Sequence, residues 1–183
     1  MSKAVVFFAD GLEECEGLLC VDILRRAGAE VVIASVEEGL SVKSSHGVTI
    51  RCDELASGLD FSDVDLIILP GGIPGTYLLG ESPVVAETLR AFAAAGKKIA
   101  AVCAAPSVLA QAGLLDGRRA TAHRKFRDKL AGAEVLDREV VVDGPITTAW
   151  GLGATIPFAL ELARQLEGEA AAEHVRQGID YRH

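Results

Sequence analysis

Cys103 closes an apolar run, Lys98 to Cys103, and Ala104-Ala105-Pro106 follow it directly. A cysteine at a strand-to-helix junction is held at a tight bend with its side chain projecting from the sheet, as in a nucleophile elbow. A helix starting behind it would turn free N–H groups and a positive dipole end toward the sulfur, which favours thiolate over thiol. The small neighbours Ala104 and Ala105 leave room for a reactant. The other reading is a buried cysteine that packs as a small hydrophobe. Position alone leaves both open.

Three other features could join that chemistry. Pro70-Gly71-Gly72 follows the apolar run Asp65 to Leu69. A glycine pair there is either a plain turn or a stretch of bare backbone whose N–H groups can approach an anionic oxygen or the sulfur. Glu13, Glu14 and Glu16 crowd the start of the first predicted helix. Stabilisation of the helix end accounts for Glu13 and Glu14. Glu16 differs, because helical register aligns it with Leu19, Cys20 and Ile23 on a mostly apolar face. A carboxyl buried there would have a raised pKa and could donate a proton near neutrality. His123 follows the short run Ala120 to Ala122, near the loop face, as a surface imidazole or a base. Trp150 ends a strand as a packing residue or a pocket rim. His46 falls in a turn, and His174 and His183 lie near the C-terminus; none of the three is assigned a role.

The elements that must position these groups alternate strand and helix. Strands are predicted at Lys3 to Ala9, Glu30 to Ser35, Asp65 to Leu69 and Lys98 to Cys103. Val42 to Cys52 reads as a hairpin or edge excursion turning at His46-Gly47, and Val140 to Val142 with Pro145 to Ala149 as a terminal pair around Asp143-Gly144. Helices are predicted at Glu13 to Ala27 with Gly28 as C-cap, from Pro83 to Ala95 with Ser82 as N-cap, at Ala104 to Ala112, Thr155 to Leu166 and Glu169 to Arg176. Short, wholly apolar strands suit a parallel sheet covered on both faces. The expected architecture is an α/β, flavodoxin-like three-layer sandwich around a mostly parallel, doubly wound sheet, whose ligands bind beyond the carboxyl ends of the strands.

Bulk properties narrow the function. The 183 residues suit one domain over 1–183, and half of them are hydrophobic, an ordinary globular balance. The net charge of −8 and the lack of any clustered Lys/Arg run argue against nucleic-acid binding. No stretch is long and apolar enough for a signal-peptide core or a membrane span, so a cytoplasmic location is expected. The four cysteines, Cys15, Cys20, Cys52 and Cys103, are scattered without a CxxC pair, which suits cytosolic thiols rather than disulfides or zinc ligands. Neither GxGxxG nor GxxxxGK[ST] occurs, so no nucleotide cofactor is expected.

Taken together, the segments Gly11 to Glu16, Val21 to Gly28, Leu69 to Gly72 and Ile99 to Pro106 resemble the ThiJ/PfpI superfamily, and within it the parkinsonism-associated DJ-one branch. The resemblance runs from Lys3 to about Val175. It implies a single ThiJ/PfpI-type domain, akin to class I glutamine amidotransferases, that forms a homodimer and needs no cofactor or metal. Cys103 matches the elbow cysteine and Glu16 the glutamate that hydrogen-bonds its sulfur. The oxyanion-type amides match Gly72 and Ala104, the nearby histidine His123, and an arginine that reaches across the dimer Arg26. Ala104 stands where the protease-like branch carries histidine, so peptidase activity is not expected. Trp150-Gly151-Leu152-Gly153 departs from a more polar segment with proline between the glycines, and His46 stands where relatives often have arginine.

The activity so implied is a glyoxalase III or deglycase that attacks methylglyoxal or glycation adducts through a cysteine thiolate, with a stress-protective role. The alternative is a redox-sensing or chaperone-like protein whose Cys103 is oxidised to the sulfinate without turnover.

Overall fold

The structure is a computed structural model that describes residues 1–182. In chain order, β1 (Lys3–Phe8) leads through α1 (Glu14–Ala27) to β2 (Glu30–Ser35). β3 (Ser41–Lys43) and β4 (Thr49–Arg51) form the expected antiparallel hairpin, set apart from the main sheet. β5 (Glu54–Leu55), β6 (Leu66–Leu69), α2 (Gly75–Glu81), α3 (Pro83–Ala95), β7 (Lys98–Val102) and α4 (Pro106–Gln111) follow. β8 (Arg119–Ala120) pairs with β9 (Glu134–Val135), and β10 (Val140–Asp143), β11 (Ile146–Ala149), α5 (Thr155–Glu167) and α6 (Glu169–Gly178) complete the chain.

The main sheet has the order β10-β11-β7-β6-β1-β2-β5, parallel throughout except where β10 runs antiparallel to β11. Strand order reverses direction about β1, as a doubly wound sheet requires. Side-chain alternation splits the core in two. Ala4, Val6 and Phe8 of β1 pack under α1, α5 and α6, whereas Val5, Phe7 and Ala9 pack with residues of α2, α3 and α4 on the other face. The result is a three-layer α/β sandwich.

Three local features concern the helices and their ends. Gly28, at φ +100, ends α1 in the left-handed conformation, donating to Arg25 and Leu24 carbonyls. The α2 helix was not legible from periodicity, because Gly75 and Gly80 interrupt its seven residues and Pro74 precedes it. Ser82 does occupy the N-cap of α3, with Pro83 at N1, but its hydroxyl makes no capping bond.

Gly17 lets α1 lie close on the sheet: a side-chain carbon there would sit 2.7 Å from the buried Phe8 ring and 3.2 Å from Leu12. Gly17→Val is therefore expected to force helix and sheet apart and to cost about 1–3 kcal/mol. Urea unfolding with an unchanged slope and a lower midpoint checks this; an unchanged midpoint would refute the close approach.

Candidate active site

Cys103 has φ +65 and is one of two non-glycine residues with positive φ among those described. That conformation is sterically costly for a side chain and persists where surrounding bonds hold it. Both backbone groups of Cys103 are so held: its N–H donates to Ala149 O (2.9 Å) and its carbonyl accepts from His123 N–H (2.8 Å). The elbow expected from the sequence is present, with two corrections. The strand stops at Val102, because Cys103 has left the extended conformation. The helix behind it starts at Pro106 and not at Ala104, since Ala104 and Ala105 form a turn closed by Ala105 N–H to Val102 O (3.0 Å). The donors at the sulfur are thus two single amides, Ala104 N–H and Gly72 N–H, rather than the end of a long helix.

Glu16 lies on the inner face of α1 and is 1% exposed. Glu13, at the N-cap, accepts the Glu16 N–H through its side chain (2.7 Å) and fixes the first turn. Glu16 Oε2 accepts from Gly71 N–H at 2.9 Å, and Gly71 O accepts from Glu13 N–H at 2.9 Å, so the 70–72 turn is laced to the start of α1. The other oxygen, Oε1, is buried without a conventional hydrogen bond, and the carboxyl couples to the Cys103 thiol. Gly71 sits between the two: a Cβ on it would be 2.6 Å from Cys103 Cβ and 2.7 Å from Glu16 Oε2. Gly72, at φ +93, is bare for a second reason, as a side chain there would strike the Leu12–Glu13 backbone. The glycine pair is therefore a close approach and not only a turn.

Electrostatics correct the expectation for the sulfur. Burial pushes the Glu16 carboxyl up to about 7, against the pull of its hydrogen bonds to Cys103 and Gly71. Burial, then the Glu16 charge and its hydrogen bond, push Cys103 up to about 12, and the Ala104 and Gly72 amides offset only part of this. The helix end does not ionise the thiol. The high value reflects burial first and then a second negative charge placed beside the first, and the two groups titrate as a pair. Once Glu16 holds the proton, its repulsion vanishes and it donates to the sulfur, so a thiolate at this site requires a protonated Glu16. Near neutral pH the carboxyl, raised to about 7, is the member of the pair that exchanges its proton.

The remaining predicted groups are placed as follows. His123 is half-buried; burial, then Arg124, Lys125 and Arg127, lower its pKa and keep the ring neutral. Its Nδ1 accepts from Lys125 N–H (3.3 Å), which puts the ring proton on Nε2. Trp150 packs its half-buried ring against the α1/α5 core. Arg26 is exposed, pairs with Asp22 of its own helix (2.7 Å), and lines a surface hollow with Leu18 and Ile33. His46 pairs with Glu14 (3.1 Å), which raises its pKa. All four cysteines are free. Burial pushes Cys20 far up and Cys52 up to about 11, while Cys15 is raised by burial and by its glutamate neighbours. Gly151 is a site position that residue type alone did not single out, because its part is the absence of a side chain.

The DJ-1/PfpI family pattern matches residues 2–165. The solved structure of Toxoplasma gondii DJ-1, oxidized, is similar with a TM-score of 0.96 at 37% identity, each chain covering 100% of the other. The deglycase TK1284 of Thermococcus kodakarensis is 36% identical over 144 residues, 78% of this chain and 86% of the relative. The glutathione-independent glyoxalase DJR-1.2 of Caenorhabditis elegans is 34% identical over 169 residues, 91% of this chain and 89% of the relative.

The raised Glu16 pKa links to stability with a definite sign. Between the ordinary 4.5 and about 7, the folded chain holds a proton that the unfolded chain has lost. The Glu16 contribution to stability therefore falls as pH rises through that window and is level above it. Glu16→Gln should remove this slope and stabilise the protein above pH 7, on the order of 3 kcal/mol. The same variant should shift Cys103 ionisation below about 12, since both Glu16 contributions are gone. Urea midpoints against pH, with thiolate ultraviolet absorbance, test both; identical pH profiles for the two proteins would refute the coupling.

Proposed function

The chain belongs to the DJ-1/PfpI family, and on that premise we propose that it is a cofactor-independent glyoxalase that converts methylglyoxal, or related glycation adducts, through Cys103. One observation carries this: Glu16, buried against Cys103, is a carboxyl raised to about 7. An internal redox isomerisation moves a proton between adjacent carbons, and a group near neutral pKa can both take and return it. The activities in the names of the Thermococcus and Caenorhabditis relatives agree with this choice.

The proposed sequence begins with the pair as thiolate and carboxylic acid. Sγ adds to the aldehyde carbon, and the carbonyl electron pair moves to oxygen, where the Gly72 and Ala104 amides stabilise the charge. Glu16 gives its proton to that oxygen, leaving a hemithioacetal and a carboxylate. The carboxylate then removes the hydrogen on the sulfur-bearing carbon to form an enediolate and returns it to the neighbouring carbon, while the hydroxyl proton on the first oxygen passes to the second. A thioester of lactic acid results. Water adds to the acyl carbon and the carbon–sulfur bond breaks, so that the sulfur leaves as thiolate; one water proton goes to Glu16, and the other leaves to solvent as lactic acid ionises to lactate. Neutral His123, with Nε2–H as a donor, serves the substrate's second oxygen. The protein acts as a homodimer joined through the α1 face that bears Leu18 and Arg26.

Lactate formation from methylglyoxal by wild type, Cys103→Ser and Glu16→Gln tests the scheme. Cys103→Ser should abolish turnover, and Glu16→Gln should lower kcat by about 100-fold or more, the usual worth of a general acid–base group. Wild type without lactate above background refutes the glyoxalase. If peroxide then converts Cys103 to the sulfinate by mass spectrometry, a thiol sensor takes its place.

A further inference from the structure

Two glycines lie against Cys103, and they differ in what a side chain would meet. At Gly71 an added Cβ would collide, 2.6 Å from Cys103 Cβ. At Gly151 it would lie 3.8 Å from Cys103 Sγ, 3.9 Å from Cys103 Cβ and 3.6 Å from His123 Cδ2, which are ordinary van der Waals contacts. The first side of the sulfur is filled. The second holds room for a methyl group, walled by sulfur and imidazole.

That gap is fixed in place. Gly151 follows β11 and starts the turn into α5, and its carbonyl accepts from Ala154 N–H (2.8 Å) and from Thr155 Oγ1 (3.4 Å). Its φ of +147 is a conformation that side chains rarely adopt. A carbonyl carbon bonded to Sγ must direct its substituents to the unfilled side, because Gly71 and Glu16 close the other.

From this, and resting on the glyoxalase reading, we infer that Gly151 is the specificity-determining residue of the site. The space it leaves open receives the carbon substituent of a 2-oxoaldehyde, between the Cys103 sulfur and the His123 ring. Glyoxal, which lacks that substituent, does not need the space; methylglyoxal does.

The test compares kcat/KM for glyoxal and methylglyoxal in wild type and Gly151→Ala. Methylglyoxal should lose about tenfold or more beyond any loss for glyoxal, the usual worth of one carbon in a pocket. Alkylation of Cys103 supplies a readout independent of turnover: Gly151→Ala should slow N-ethylmaleimide more than the smaller iodoacetamide. His123→Ala removes the opposite wall without backbone strain and should shift that ratio the other way, which decides the matter if Gly151→Ala does not fold by circular dichroism. Equal losses for both aldehydes with unchanged alkylation ratios overturn the assignment. If wild type turns over neither aldehyde, the glyoxalase reading fails, and the two alkylation ratios alone decide whether the gap exists.

Discussion

The site is organised by a carboxyl buried against a sulfur with one negative charge between them. Neither group is unusual alone. Together, out of water, they cannot both ionise near neutral pH, because burial and their mutual repulsion disfavour the second charge. The two amides of Gly72 and Ala104 favour charge on sulfur, and Gly71 N–H favours charge on Glu16 Oε2.

Holding two side chains from distant segments at that distance demands backbone that contributes no bulk. Glu16 comes from the first turn of α1 and Cys103 from beyond β7, with the 70–72 turn wedged between them. Each joint is strained or bare: Cys103 at positive φ, Gly71 with no room for a side chain between the partners, Gly72 with none against the α1 start. A sheet anchored by two fully buried faces holds such strain in place, since repacking it would open both cores.

Most of the fold was legible because its signals are local. Apolar runs gave the strands, Gly28 and Pro83 marked helix ends, and Glu16 announced itself as a charge on an apolar face. The failures were local too. Periodicity cannot see a six-residue helix begin two positions late, and a left-handed residue at Cys103 leaves no trace in residue type. The ionisation state was misread for a different reason. A helix end behind the sulfur suggested that thiolate is favoured over thiol, whereas the larger influences, burial and the Glu16 charge, come from packing across 87 positions of chain. Site electrostatics is tertiary, and spacing alone does not contain it.

A pair limited to one charge also suits the traffic that the proposed reaction requires. An uncharged aldehyde enters without penalty from a site that is already negative. The acid formed on hydrolysis bears its own charge and is repelled by the same pair once Glu16 and Cys103 have reset. A cation near the sulfur would give a readier thiolate, yet it would hold the carboxylate product and would pull the Glu16 pKa down, out of the range where it can return a proton. The neutral His123, kept so by burial and by Arg124, Lys125 and Arg127 around it, fits this constraint: it can donate a hydrogen bond without adding charge.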